Sequence, residues 1–400
     1  MLHKKKLLAI ALAAAAGVPA LAVAQTSNVV LYGKFYPEMV WGKATGGSQP
    51  GTTLATMVNA PTGASDTPSI YSLQANNSRL GIRGEEQLSG DLKAIFQLES
   101  QIAIDTGGSA LASRDTFVGL TSERWGTVKL GNFDTVYKNY GDTLSFLGVS
   151  SGNFVSNSNI LSKSPLGTSS SASFHLRRAN SVQYESPDFR GIAAAIQYSP
   201  DEAKSATRNA YLVSVGLKYE NGPLYLAVAG EQHRDLFGGS RNVRSSLSNF
   251  NDPNARAKDR AIRGTVRYSI GETTIEGDVS HIEWKETGGA SGRFQKYDHY
   301  TFLISADHRM GPWRFAASYT WGTKGDCSLF GGANCSTEGL DGSQGSLGAS
   351  YSLSRRTQIF ALGAYLRNGK SARYLNADWL ADLQPGQDIK QVALGIAHTF

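Results

Sequence analysis

The 400 residues carry 39 Lys/Arg and 33 Asp/Glu, a formal charge of +6 that falls to +3 once the three lysines of the opening segment are set aside. No Lys/Arg run tracks a phosphate backbone, which excludes a nucleic-acid partner. After residue 25 no apolar run approaches 18 residues, which excludes spanning helices, and 44 glycines with little helical periodicity indicate an all-β chain.

The chain opens MLHKKKLLAIALAAAAGVPALAVAQ. Lys4, Lys5 and Lys6 form a basic head, Leu7 to Ala16 a short apolar core, and Ala22-Val23-Ala24 a small-x-small cleavage site. This predicts a secretory signal peptide over 1–24 and a mature domain over 25–400 that begins at Gln25.

Strict period-two alternation then recurs to the end, as strands require. In 28–41, Leu31, Phe35 and Met39 oppose Tyr32, Lys34, Tyr36 and Glu38. In 78–100, Leu80 and Ile82 oppose Arg79 and Arg83; after the turn Ser89-Gly90-Asp91, Leu92, Ala94, Phe96 and Leu98 oppose Lys93, Gln97 and Glu99. The stripes at 192–198, 211–219 and 260–268 set Ile192, Val215 and Val266 against small or polar residues, Lys218, Arg263 and Arg267. Those at 300–309, 313–321 and 347–353 set Ile304, Phe315 and Leu347 against Asp307, Arg309, Arg314 and Ser350. Strands 114–121 and 356–367 have apolar residues on both parities and are not assigned a face. The final strand, KQVALGIAHTF, ends its apolar stripe on Phe400.

The connections alternate in length. Seven short turns, such as Gly271–Glu272, are interleaved with eight long polar stretches: 42–70, 105–113, 135–176, 199–209, 234–259, 286–298, 324–343 and 368–388. Fifteen connections predict sixteen antiparallel strands. Short turns on one side and long loops on the other, with aromatics at stripe ends (Tyr211 and Tyr219, Trp313 and Trp321), predict a closed transmembrane β-barrel with short periplasmic turns and long external loops. Its apolar face would meet lipid and its charged face would line a watery lumen; an even count leaves no unpaired edge.

Cys327 and Cys335 sit in the Gly-rich stretch GDCSLFGGANC of an exported chain, which favours a local disulfide over a metal site. Gly148-Val149-Ser150-Ser151-Gly152 matches G-x-S-x-G but lacks the strand-to-helix elbow that motif needs. His233, His281, His299 and His308 are scattered singly. No catalytic set, metal or cofactor is expected.

The order and spacing of several stretches carry a resemblance: Val30-Leu31-Tyr32-Gly33-Lys34, Ser78-Arg79-Leu80-Gly81-Ile82-Arg83-Gly84-Glu85, Phe117-Val118-Gly119-Leu120, Trp125-Gly126-Thr127-Val128-Lys129-Leu130-Gly131, Asn180-Ser181-Val182-Gln183-Tyr184-Glu185-Ser186-Pro187 and His398-Thr399-Phe400. Over essentially the whole mature chain it resembles the general diffusion porins of Gram-negative bacteria, of the trimeric β-proteobacterial type.

The resemblance implies a sixteen-stranded homotrimeric barrel whose third external loop, here 135–176, folds into the lumen. It sets a basic wall of Lys34, Arg79 and Arg83, with Arg177 and Arg178 nearby, against the loop acids Asp134 and Asp142. The chain departs at Asn132, where many relatives carry a lumenal arginine. Phe400 would be the signal read by periplasmic chaperones and the barrel-assembly machinery, and lipid with lipopolysaccharide would surround the barrel.

With Lys93, Arg263 and Arg267 as further lumenal charges, the expected function is passive diffusion of small hydrophilic solutes and ions across the outer membrane, with mild anion preference. The alternatives are a substrate-selective channel of the same fold, an outer-membrane barrel enzyme and a soluble secreted β-protein.

Overall fold

The alternating stripes become strands, and the sheet they build is inside out. A computed structural model describes residues 27–48, 57–58, 66–144, 146–148, 153–167, 173–202, 208–380 and 383–400. The expected signal peptide and Val149 to Gly152 of the G-x-S-x-G match lie outside the described residues.

Among the described residues twenty strand segments form one sheet. Two pairs of segments are halves of single kinked strands and two short ones are loop extensions, which leaves sixteen barrel strands. We number these β1 (Ser27–Phe35 with Glu38–Thr45), β2 (Thr67–Gln74 with Arg79–Ser89), β3 (Leu92–Ala103), β4 (Thr116–Ser122), β5 (Gly126–Asp134), β6 (Arg177–Glu185), β7 (Ile192–Pro200) and β8 (Tyr211–Asn221). They continue as β9 (Leu224–Arg234), β10 (Arg256–Ile270), β11 (Thr273–Thr287), β12 (Phe294–Met310), β13 (Trp313–Gly322), β14 (Gly342–Ser352), β15 (Thr357–Asn368) and β16 (Asp388–Thr399).

Each strand pairs antiparallel with the next, and β16 pairs with β1 through Phe35↔His398 and Glu38↔Gly395. The seam is tied further by mutual backbone bonds between Gly33 and Phe400, each 3.1 Å. A Cβ at 33 would lie 2.3 Å from the tip of the Phe400 ring, so a larger residue there would have to displace that ring.

The kink in β1 falls at Tyr36-Pro37, where proline withholds a ladder donor. The Tyr36 N–H donates instead to Ser78 Oγ at 2.8 Å, in the matching kink of β2.

Large apolar side chains point outward: Leu394 is 69% exposed, Leu347 67% and Ile82 42%. Residues of opposite parity on the same strands, such as Gln391, Ser350 and Ser346, point inward and are buried. That polarity suits lipid outside and a polar interior. The two strands without a sequence-assigned face now resolve. Val118 and Leu120 of β4 face out, and so do Ile359 and Tyr365 of β15. The inward side of β15 is apolar because Phe360, Leu362 and Ala364 pack with Phe146, Leu147 and Phe154 of the segment 135–176.

Candidate functional site

The segment 135–176 connects β5 to β6, and its described residues pack against inward-facing residues of the wall. Its first helix, α1 (Val136–Tyr140), starts at Thr135, whose side chain caps Lys138 N. Tyr137 N–H donates to Ser214 Oγ at 2.8 Å, Tyr137 O–H donates to Ser280 Oγ at 3.2 Å, and Tyr225 O–H donates to the Tyr140 carbonyl at 2.7 Å. Arg263 Nη2 donates to the Tyr137 carbonyl, and its guanidinium lies 4.5 Å from the Tyr137 ring centroid.

A second short helix, α2 (Ser158–Leu161), is held further round the wall. Thr301 Oγ1 donates to the Leu161 carbonyl at 2.9 Å. Asn157 Oδ1 accepts from Ser318 and Thr320 at 3.1 and 2.8 Å. Asn153 Nδ2 donates to Glu38 of β1 at 3.1 Å. The bonds therefore reach inward-facing residues from β8 through β13 and β1. Small hydroxyl side chains at these wall positions leave room for a chain to lie against the sheet.

This packing leaves a cavity of about 710 Å³. Lys34 and Arg79 line it from directly opposed positions of β1 and β2. Arg114, Asp134, Lys138, Asp142, Lys163 and Asp378 also line it. Among the described residues five cations thus face three carboxylates, a net positive lining. Among the described residues neither Lys34 nor Arg79 has a carboxylate within ion-pair distance; the Lys34 ammonium sits 4.3 Å over the Tyr36 ring.

The remaining expected site residues are placed differently. Arg83 has inward parity, but it lies 5.2 Å from the Tyr32 ring and outside the cavity lining. Arg177 bridges Asp115 and Asp134 at 2.6 and 2.8 Å, and Asp134 also takes Lys138 at 2.9 Å. Arg178 lies 3.7 Å from Asp201.

Lys93, Lys218, Arg267 and Arg314 are each matched to an acid, Glu85, Glu185, Glu220 and Asp307, at 2.5–3.1 Å. Arg263 points inward but is fully buried beneath α1, so it holds the segment rather than meeting water. Cys327 and Cys335 are joined, with their Cα atoms 5.9 Å apart, in the connection between β13 and β14. Phe400 closes the seam and its ring packs 5.2 Å from Phe35.

Sequence reasoning missed Arg114, Lys138, Lys163 and His175. Lys138, Lys163 and His175 lie in a connection, where no periodicity tells which side chains face inward; the sequence puts Arg114 at the start of a strand of unassigned face, whereas β4 begins at Thr116. His175 is half-buried, and desolvation pushes its pKa well below the ordinary 6.5, helped by the positive field of Lys138, Arg263, Lys163 and Arg177. It is therefore a neutral imidazole set among cations.

Comparison with known proteins agrees with this architecture. A family profile described as Gram-negative porin matches residues 9–371. A major outer membrane protein P.IB of Neisseria lactamica is 26% identical over 369 residues, covering 92% of this chain and 95% of that one. An outer membrane porin of Bordetella pertussis is 28% identical over 326 residues, covering 73% and 77%. Among solved structures, an anion-selective porin from Comamonas acidovorans superposes with a TM-score of 0.69 at 22% identity, covering 94% of this chain and all of that one. OmpT of Vibrio cholerae, in a structure titled as its trimer form, gives 0.62 at 14%. With most of its length inside the family profile, and with a closed barrel of sixteen strands, the chain belongs to the Gram-negative porins, the outer-membrane channels of passive diffusion.

Proposed function

We propose that this outer-membrane channel conducts small hydrophilic solutes and ions with a modest preference for anions, set at the cavity between β1–β2 and the infolded segment 135–176. The observation that carries the reading is the unpaired state of Lys34 and Arg79 within a lining of net positive charge. An ion pair largely cancels its own field, so the charges already matched to acids contribute little. Unmatched bases in a narrow, low-dielectric passage lower the entry barrier for anions. Asp142, in the lining of the same cavity, would give the passage a transverse field that aligns dipolar solutes, whereas Asp134, matched to Arg177 and Lys138, adds little.

No step of this function is catalytic; transport follows the gradient. We further propose that the chain assembles as a homotrimer, as the Vibrio cholerae structure is titled. Exposure of the apolar final strand up to Phe400 would offer periplasmic chaperones and the assembly machinery a strand to bind.

Planar-bilayer recording tests the reading. A tenfold KCl gradient should give a reversal potential of the sign for anion flow, about 10–30 mV in size for mild preference. Zero potential or the cation sign would overturn it. Block of the current by micromolar amounts of one solute class would favour the selective-channel alternative.

A further inference from the structure

A second connection also lies inside the barrel. It joins β15 to β16, and its described residues pack on the inner wall and on α2. Tyr374, Leu380 and Leu383 are buried with Ala44 of β1, Ile160 of α2 and Leu366 of β15. The wall makes room by omitting side chains. A Cβ at Gly42 would lie 2.6 Å from the Trp379 ring, and one at Gly342 would lie 2.5 Å from the Tyr374 ring.

Polar bonds then fix the backbone of this connection. Asn376 Nδ2 donates to the Phe154 carbonyl of the infolded segment and to Gln344 of β14, both at 3.1 Å. Gln391 Nε2 of β16 donates to Asn376 Oδ1 at 3.0 Å. The Arg373 N–H donates to the Pro165 carbonyl at 2.9 Å. Two residues beyond Asn376 stands Asp378, and Asn76 Nδ2, in the kink of β2, donates to its Oδ2 at 2.5 Å.

Asp378 lines the same cavity as Lys34 and Arg79, and its side chain is exposed. Among the described residues it has no cation within ion-pair distance. Asn76 is neutral, so its hydrogen bond holds the carboxylate without cancelling the charge. The cavity thus presents two unmatched bases and one unmatched carboxylate, none paired with another.

We propose that this cavity recognises zwitterionic solutes of α-amino-acid type, taking their carboxylate on Lys34 and Arg79 and their ammonium on Asp378. The proposal deepens the channel reading and rests on it. Charge supplies the first argument. Fixed charges of both signs attract a solute that carries both, whereas a lone anion meets the repulsion of Asp378 and a neutral solute gains nothing. Span supplies the second. Asn76, which holds Asp378, stands three residues before Arg79, a backbone reach of at most about 11 Å. An α-amino acid with a charge-assisted contact of about 2.8 Å at each end bridges roughly 8–9 Å. Rigidity supplies the third. The connection is already tied to the wall and to the infolded segment, so binding orders little that was loose.

The test is swelling of liposomes that contain the full chain, with L-serine set against erythritol, an uncharged solute of similar size. Wild-type protein should admit serine at least about twofold faster than erythritol. Asp378→Asn keeps an acceptor for Asn76 but removes the charge, and it should abolish the difference. Asp378→Glu should preserve it. Should Asp378→Asn fail to fold, Lys34→Gln/Arg79→Gln should abolish the difference from the opposite pole.

Equal rates for the two solutes in the wild type would overturn the proposal while leaving the channel reading intact. So would a serine advantage that survives Asp378→Asn, because the acid would then touch no solute. Liposomes that admit neither solute would fail the channel reading and the proposal together.

Discussion

Arg263 of β10 donates to the backbone carbonyl of Tyr137, a residue 126 positions earlier in the chain. The same guanidinium lies 3.9 Å from Asp278 of β11, and all three groups are buried. One side chain thus pins the infolded segment to the wall and offsets a buried carboxylate. Replacing it by Met should leave Asp278 without its base and α1 without its tether. A loss of about 3 kcal/mol is expected. It would be read as a lower melting temperature of the folded barrel, with added current noise from a loosened loop. A variant as stable and as quiet as the parent would show that the tether does not hold α1.

Charge reversal at the cavity separates matched from unmatched bases. Lys34→Glu/Arg79→Glu should move the reversal potential toward cations. Arg314→Glu should move it much less, because Arg314 is committed to Asp307. Arg83→Glu should fall between, since Arg83 faces inward outside the cavity. Equal shifts from all three variants would mean that overall lumenal charge, and not this cavity, sets selectivity.

His175 gives the infolded segment a pH dependence of known sign. Its pKa is held well below 6.5, so the unfolded segment takes up a proton before the folded one does. The stabilisation is complete above about 6.5 and is lost as pH falls below it. Bilayer recordings from pH 7 to pH 4 should show rising closure or noise, and His175→Gln should flatten that change. A parent trace that is unchanged over this range would exclude His175 as the source.

Ile82 tests the outward face. Arg at this position should cost about 2–4 kcal/mol if the residue lies near the bilayer midplane, and less near an interface. Urea unfolding of liposome-folded protein measures it. Gly81, its inward neighbour, is a poor control, because the Tyr32 ring occupies the space a Cβ would need, at 2.4 Å. Ile82→Leu is the better one and should be near neutral.

The faces of most strands were legible because a barrel in lipid has a side that must be apolar on every strand. β15 was not, and the reason is physical. Phe360 and Leu362 point inward yet are buried by Phe146 and Leu147, so both faces carry apolar residues. Local alternation reports the neighbour a face meets, and here that neighbour is another part of the chain. The kink at Pro37 was likewise hidden, since parity continues through it. Lys34 and Arg79 could be assigned to the interior from the resemblance and from alternation together. Arg114, Lys138 and His175 could not, because their direction depends on how a loop folds.

The pairing of Gly33 with Phe400 joins the most distant parts of the described chain. A cylinder shut in this way cannot be completed by local hairpins alone, however fast they form, because its last bonds span nearly the full length. Until they form, two strand edges lie open, and hydrocarbon offers them no partner. Entry into the bilayer and shutting of the cylinder must therefore proceed as one event, with the terminal aromatic as its clasp.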